Sequence, residues 1–255
     1  MDFDIKKPTH WFSLLMIIVS FIVFLLFPII SYFFSLDSNQ TDTINNFSPI
    51  YKLIFEIFAL VIQISLVIIF MILSPYIWYS LVNGLSLKKI LERINLHTKN
   101  LHIAFLWAIL TVFAAFSILL ILGAIMNLLG VNIEDSSNIQ NLEMFFSIPT
   151  ILFLITLQPI AEEIFFRGFI LEKINSMYGK IPAIIISSIL FGMAHLSYGN
   201  IYPAMMIIFI GILLAVLVFK TKNLTAAIIA HVLFNLTSFL LYIIGKDIIT
   251  EALIL

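Results

Sequence analysis

The stretch that decides the fold is FFSIPTILFLITLQPIAEEIFFRGFIL, residues 145–171. It is long and apolar enough to cross a bilayer, which takes roughly 20 mainly apolar residues. It nevertheless carries Glu162, Glu163 and Arg167 close together. An ionisable side chain at the bilayer centre costs about 2.5–3.5 kcal/mol on insertion scales. Three such groups in one span therefore require partners, and they indicate a functional site.

The composition of the whole chain points to the same environment. Of the 255 residues, 62% are hydrophobic and 11% are charged, whereas a soluble domain has about 45–50% and about 25% respectively. The net charge of −1 and the lack of a basic run argue against a nucleic-acid partner. The absence of cysteine excludes a disulfide framework and thiolate chemistry.

The hydropathy pattern predicts an all-α fold, a polytopic transmembrane helical bundle of about seven spans, with six to eight as the range. We interpret residues 1–255 as a single membrane-embedded domain, with the functional motifs in 146–244. The second span contains Ser74-Pro75 and is expected to kink or break there. The fifth span is the shortest. The predicted spans are residues 11–34, 50–80, 101–126, 146–171, 181–196, 202–219 and 224–244.

Lysine and arginine predict the orientation, because cytoplasmic loops carry an excess of both. A cytoplasmic N-terminus places ten of the thirteen basic residues on the inner side. The loops at 35–49 and 127–145 then face outward, and neither contains a basic residue. We therefore expect a multi-pass integral membrane protein with a cytoplasmic N-terminus. The short, loop-poor chain suggests the plasma membrane of a microbe.

Helix geometry suggests how the charges of residues 145–171 are partnered. Glu163 and Arg167 are four residues apart, on one helical face, so they can pair directly. Glu162 lies about 100° further round the helix, so it is expected to find its partner on another helix.

Two other predicted spans carry candidate partners. His195 lies in the fifth span, and His231 in the seventh is followed one turn later by Asn235. At 1.5 Å per residue, Glu162, His231 and His195 lie about 15, 12 and 21 Å from the inner membrane surface. All can therefore meet near the middle of a hydrocarbon core of about 30 Å.

These residues form three motifs, EEIFFR at 162–167, FGMAH at 191–195 and HVLFN at 231–235. They resemble the EExxxR, FxxxH and HxxxN signatures of the CPBP family, also called Abi. That family comprises CAAX-protease and bacteriocin-processing intramembrane endopeptidases, including the eukaryotic Ras-converting CAAX endopeptidase. The resemblance covers roughly the C-terminal half of the chain. The first 140 residues resemble the family only in being apolar spans.

The resemblance implies a hydrolytic mechanism with defined roles. Glu162 acts as the general base on a water molecule, and His195 orients that water and shares its proton. His231 and Asn235 donate hydrogen bonds to the tetrahedral oxyanion.

The resemblance also implies a role for Glu163 and Arg167, and it leaves open whether a metal is bound. Glu163 with Arg167 holds the helix and the carboxylate geometry. The favoured mechanism requires no cofactor. The alternative is a zinc site in which Glu162, His195 and His231 are three ligands and one position is open. The implied partners are membrane lipid and a membrane-associated peptide substrate, either CAAX-like or bacteriocin-like.

Other readings of the chain remain open at this stage. The buried glutamates and histidines would also suit the proton relay of a proton-coupled transporter, although no inverted repeat is apparent. A non-catalytic scaffold or immunity protein with a relict site is a further alternative, as is a purely structural Glu163–Arg167 ion pair. The HExxH motif of zinc proteases is absent, as are GxGD and GxSG.

Several polar and aromatic residues near the motifs have simpler expected roles. Phe191, Ser187 and Ser188 are interpreted as packing residues. Helix-end or interhelical hydrogen bonds are expected for Gln63, Asn83, Asn127 and Gln158.

Overall fold

The computed structural model describes residues 3–33, 48–130, 146–196 and 201–254. Within these ranges the chain is helical and contains no strand, as predicted. The predicted loops at 35–49 and 127–145 lie almost entirely outside the described residues. The helices of the described part, some with π-helical segments, are α1 (Pro8–Phe21, Ile22–Leu26 and Phe27–Phe33), α2 (Pro49–Val67, Ile68–Leu73, Ser74–Ile77 and Trp78–Val82), α3 (Leu87–Arg93), α4 (Leu101–Leu128), α5 (Ile148–Glu163, Ile164–Leu171 and Glu172–Tyr178), α6 (Lys180–Met193), α7 (Ile201–Thr221) and α8 (Leu224–Ile254).

Six helices of the described part are long and apolar enough to cross a membrane. This number confirms the polytopic bundle of six to eight spans. The candidate spans are Pro8–Ile30, Pro49–Val82, Leu101–Leu128, Ile148–Tyr178, Ile201–Thr221 and Leu224–Lys246.

The span predicted at 181–196 requires a correction. Helix α6 has only 14 residues and ends at Met193. At 1.5 Å per residue it rises about 21 Å, less than the hydrocarbon core of about 30 Å. It is therefore too short to cross the membrane by itself.

Helix α2 continues through Pro75, with π-helical segments on both sides of it. Proline has no N–H to offer the preceding turn. In that turn the carbonyl of Phe70 accepts from the hydroxyls of Ser74 at 2.6 Å and of Ser20 at 2.9 Å. These hydroxyls stabilise the turn before the proline, so the predicted break does not occur.

Helix α5 lies at the centre of the bundle, where it contacts α2, α6, α7 and α8. Helix α4 packs against α8 and buries Ala104, Ala108 and Ala115. Small residues are favoured at such interfaces because lipid tails leave no hydrophobic driving force between helices, so close packing must hold them together. On the same helix, Phe113 and Leu120 are each 74% exposed, as lipid-facing side chains would be.

Candidate active site

Helix α5 brings three charged side chains into the interior of the bundle. Glu162 and Glu163 end its first α-helical segment, and Arg167 lies in the π-helical segment that follows. Their exposed fractions are 5%, 0% and 2%. Arg167 Nη1 donates to Glu163 Oε1 at 2.9 Å, so the predicted pairing of these two residues is confirmed.

The guanidinium of Arg167 is enclosed by α6 and α7. Its Nη2 donates to the carbonyl of Gly211 at 3.2 Å, and its Cζ lies 4.0 Å from the ring centroid of Phe191. A Cβ atom at Gly211 would lie 3.2 Å from Nη2 and 3.1 Å from Ser188 Cβ. Glycine at position 211 therefore allows α7 to approach the arginine closely enough to accept its hydrogen bond.

His231 of α8 faces both glutamates. Its Nδ1 lies 2.9 Å from Glu163 Oε1, and its Nε2 lies 3.8 Å from Glu162 Oε2. The second distance is too long for a direct hydrogen bond, but one water molecule can bridge groups at this separation. The partner expected for Glu162 on another helix is therefore His231.

His195 lies two residues beyond the end of α6. Its Nδ1 is 2.7 Å from the carbonyl of Phe191, and its ring packs on the ring of Phe191 with centroids 4.8 Å apart. The ring of Phe191 also packs on the ring of His231, with centroids 5.6 Å apart. The second motif is thus brought to the same region of the bundle as the first and the third.

The partners of the two histidines define their tautomers. The carbonyl of Phe191 can only accept, so His195 carries its hydrogen on Nδ1. Ionised Glu163 can also only accept, so His231 carries a hydrogen on Nδ1 as well. In both residues Nε2 is therefore the nitrogen that can gain or release a proton.

Asn235 contacts the backbone of α5. Its Nδ2 donates to the carbonyl of Ile155 at 3.4 Å. In an α-helix this carbonyl would receive the N–H of residue 159, which is a proline and has none. The asparagine thus supplies a hydrogen bond that the α5 backbone lacks, and this contact also ties α8 to α5.

Glu162 has a further partner on its own helix. Gln158 Nε2 donates to Glu162 Oε1 at 2.7 Å, and Gln63 Nε2 donates to Gln158 Oε1 at 3.1 Å. The interhelical hydrogen bond expected for Gln63 and Gln158 is confirmed, as is one for Asn83, which accepts from Lys173 at 3.1 Å.

Two contributions to the site were not assigned from the sequence. Phe191 was interpreted as packing, yet its ring lies beneath Arg167 and against both histidines. Gln158 was expected only to link helices. Its position four residues before Glu162 is the signal that could have associated it with the carboxylate.

The arrangement was also compared with the requirements of a metal site. Among the described residues, no three His, Cys, Asp or Glu side chains are grouped so that they could hold a metal ion. Zinc needs three such ligands at about 2.0–2.2 Å from one point. Glu162, His195 and His231 as placed therefore do not fit that three-ligand site.

One of three comparisons with known proteins finds a similar family. No curated protein and no solved structure matches the chain significantly. Residues 144–237 match a family model described as type II CAAX prenyl endopeptidase, Rce1-like. The match spans a little over a third of the chain and contains all three motifs. This segment of the chain is therefore similar to the Rce1-like type II CAAX prenyl endopeptidases.

Proposed function

We propose that the protein is an intramembrane endopeptidase in which Glu162 activates a water to hydrolyse peptide bonds. The observation that carries the proposal is the 3.8 Å separation between Glu162 Oε2 and His231 Nε2, both in side chains that are almost fully buried within membrane-spanning helices. A water held between these atoms would be kept apart from bulk solvent, next to a base. The similarity of residues 144–237 to the Rce1-like endopeptidases supports a peptidase reaction.

In the proposed first step, the water oxygen attacks the carbonyl carbon of the scissile peptide bond. A C–O bond forms, the π electron pair moves onto the carbonyl oxygen, and one water proton passes to Glu162 Oε2. In the second step the tetrahedral intermediate collapses and the C–N bond breaks. The leaving nitrogen takes the proton from Glu162, which returns to its carboxylate form.

The histidines and Asn235 would act on the same intermediate. His195 orients the water through Nε2 and shares its proton. When protonated at Nε2, His231 donates to the oxyanion. The amide of Asn235 has two hydrogens, so one can serve the carbonyl of Ile155 while the other meets the oxyanion. The loss of one such donor typically lowers the rate roughly 10²–10³-fold.

Glu163 and Arg167 would hold this machinery in place without touching the substrate. Glu163 Oε1 accepts from both Arg167 Nη1 and His231 Nδ1, each at 2.9 Å. The pair would fix the direction in which the His231 ring presents Nε2. Since the ion pair is fully buried, its charges are not screened by solvent.

The substrate class follows from the family name and from the location of the site. We propose membrane-associated peptides, CAAX-like or bacteriocin-like, that reach Glu162 from the lipid. The excess of basic residues in the predicted inner loops supports a cytoplasmic N-terminus. The plasma membrane of a microbe is the proposed location.

The test is a cleavage assay on the purified protein in proteoliposomes. The substrates are a fluorogenic peptide with a farnesylated CAAX-type end, the same peptide without the farnesyl group, and a bacteriocin-like peptide. Glu162→Gln should lower kcat about 10²–10⁴-fold, as the loss of a general base does. The matched control is Glu92→Gln, the same change at an exposed carboxylate of α3, which should retain wild-type activity.

Full cleavage by Glu162→Gln would overturn the proposal. Two further results would select the alternatives. A proton flux into the vesicles that Glu162→Gln abolishes, with no cleavage of any of the peptides by the wild type, indicates a transporter. Protection against a bacteriocin that survives loss of all the motif residues indicates a non-catalytic immunity protein.

A further inference from the structure

We propose that Gln158, held in turn by Gln63, is a positioning residue that reserves Oε2 of Glu162 for the reacting water. The inference rests on the proposed role of Glu162 as the base and goes beyond it. It assigns a task to α2, which lies outside the segment that matches the family model.

The geometry is a chain of two hydrogen bonds that ends on the carboxylate. Gln63 Nε2 lies 3.1 Å from Gln158 Oε1, and Gln158 Nε2 lies 2.7 Å from Glu162 Oε1. Gln158 and Glu162 are four residues apart on α5, the spacing at which helical side chains meet. The shorter distance is typical of a hydrogen bond whose acceptor is charged.

The carboxylate of Glu162 and the amides of Gln158 and Gln63 can form this series of hydrogen bonds in only one donor-to-acceptor direction. An ionised carboxylate can only accept, so the NH₂ group of Gln158 must face Glu162. The amide oxygen of Gln158 is then turned toward α2, where it needs a donor. Gln63 provides that donor with its own NH₂ group. Each amide therefore determines the orientation of the next, and Gln63 acts on Glu162 only through Gln158.

A second contact between α2 and α5 fixes the position of Gln63 relative to Gln158. Seven residues before Gln63 on α2, the carboxylate of Glu56 accepts from the backbone N–H and the hydroxyl of Ser147, at 3.0 and 2.6 Å. Glu56 also bonds the hydroxyl of Thr150 in the first turn of α5. Helix α2 is thereby attached to the start of α5, two turns before Gln63 meets Gln158.

The two carboxylate oxygens of Glu162 therefore have different roles in the reaction. Oε1 is occupied by Gln158, while Oε2 faces His231 Nε2 at 3.8 Å. A carboxylate held by one oxygen cannot rotate freely, so Oε2 stays directed at the water position. A misplacement of about 1 Å at a reacting group can lower the rate about 10²-fold.

The experiment measures kcat and KM of purified variants in the same proteoliposomes. Gln158→Met keeps the length of the side chain but removes the donor. It should lower kcat about 10–100-fold, while KM changes less than about twofold because the residue does not contact substrate. The matched control is Thr156→Val on α5, whose hydroxyl bonds only carbonyls of its own helix; its kcat should equal that of the wild type.

Variants of Gln63 test the direction of the chain. Gln63→Met leaves Gln158 able to donate to Glu162, so kcat should fall only about 2–10-fold, as for the loss of one neutral hydrogen bond. Gln63→Glu offers a second acceptor that competes for the NH₂ group of Gln158, so its kcat should be lower than that of Gln63→Met. The double variant Gln63→Met/Gln158→Met should be no slower than Gln158→Met alone.

These outcomes separate the inference from the proposed function. If Glu162→Gln cleaves as fast as the wild type, the proposed function fails and the inference fails with it. If Glu162→Gln is inactive but Gln158→Met keeps the wild-type kcat, only the positioning role is overturned. Equal kcat values for Gln63→Glu and Gln63→Met in folded protein would overturn the directed chain. The Gln63 variants also decide the question if Gln158→Met does not fold.

Discussion

Nδ1 of His231 lies 2.9 Å from Glu163 Oε1, the same carboxylate oxygen that Arg167 Nη1 contacts at 2.9 Å. One buried oxygen thus joins the first and third motifs across two helices. It balances the charge of the arginine and fixes the histidine tautomer. Variants of Glu163 and of His231 can distinguish these two tasks.

Glu163→Gln should destabilise the protein strongly. Removing the carboxylate charge leaves Arg167 buried without a counter-charge, a loss of about 3–5 kcal/mol for a broken buried pair. The measurement is thermal unfolding in detergent, with Glu92→Gln as the control. Combining Glu163→Gln with Arg167→Met removes the unpaired charge and should restore part of the stability but not the cleavage activity. An unfolding temperature for Glu163→Gln equal to the control would contradict this account of the pair.

His231→Asn should be more stable than His231→Gln. The amide nitrogen of asparagine can occupy the position of Nδ1 and keep the hydrogen bond to Glu163, whereas the longer glutamine side chain reaches toward the position of Nε2. We expect His231→Asn to unfold within about 1 kcal/mol of the wild type, the scale of one net hydrogen bond, yet to lose activity about 10²-fold or more. Substantial activity in folded His231→Asn would remove Nε2 from the mechanism.

Gly211→Ala should weaken the packing around Arg167. The added Cβ would lie 3.2 Å from Arg167 Nη2 and 3.1 Å from Ser188 Cβ, and overpacking of this kind typically destabilises by about 1–3 kcal/mol. The control is Gly123→Ala on α4, where a Cβ meets nothing within 4 Å. Unfolding measurements on both variants give the comparison. If Gly211→Ala is as stable as the wild type, α7 can shift away from Arg167 without destabilising the protein.

Asn235→Leu should lower both stability and activity, and Pro159→Ala separates the two effects. Alanine at position 159 restores an N–H that can bond the carbonyl of Ile155, the group that Asn235 now serves at 3.4 Å. The double variant Asn235→Leu/Pro159→Ala should therefore be more stable than Asn235→Leu alone. If Asn235 also donates to the oxyanion, activity stays about 10²–10³-fold below that of Pro159→Ala. Full recovery of activity would leave Asn235 with only a structural role.

Chelation should not change the cleavage rate. Glu163 is hydrogen-bonded to His231 and Glu162 to Gln158, and no three of the described His, Asp or Glu side chains are grouped to hold a metal ion. The assay is cleavage after treatment with EDTA or 1,10-phenanthroline, followed by addition of zinc. Loss of activity on chelation that zinc restores would require a different site arrangement.

The sequence predicted those parts of the fold that depend on composition and on helical spacing. Bilayer-length apolar segments identified the spans, and the interval of four residues predicted the Glu163–Arg167 pair because it places side chains on one face. The depth of about 21 Å for His195 stays a prediction, because it depends on where the membrane surface lies. These features require no knowledge of how the helices pack.

Features that depend on packing were not predicted. The end of α6 at Met193 has no signal in hydropathy, since Ala194 and Leu196 continue the apolar pattern. The orientation of the Gln158 amide toward Glu162 depends on its contact with Gln63 of α2. The spacing of residues within α5 cannot predict that contact. The close approach of α7 at Gly211 likewise emerges only when the helices are assembled.

The short length of α6 has a consequence for how the buried chemistry is supplied. A helix that ends at Met193 leaves Ala194 and His195 beyond its last turn, at a depth that the sequence predicts to lie within the membrane. Non-helical backbone is tolerated there only when protein covers it or when it borders a hydrated recess. We expect an interruption of this kind, in the motif that carries His195, to admit a solvent molecule that an uninterrupted span would exclude.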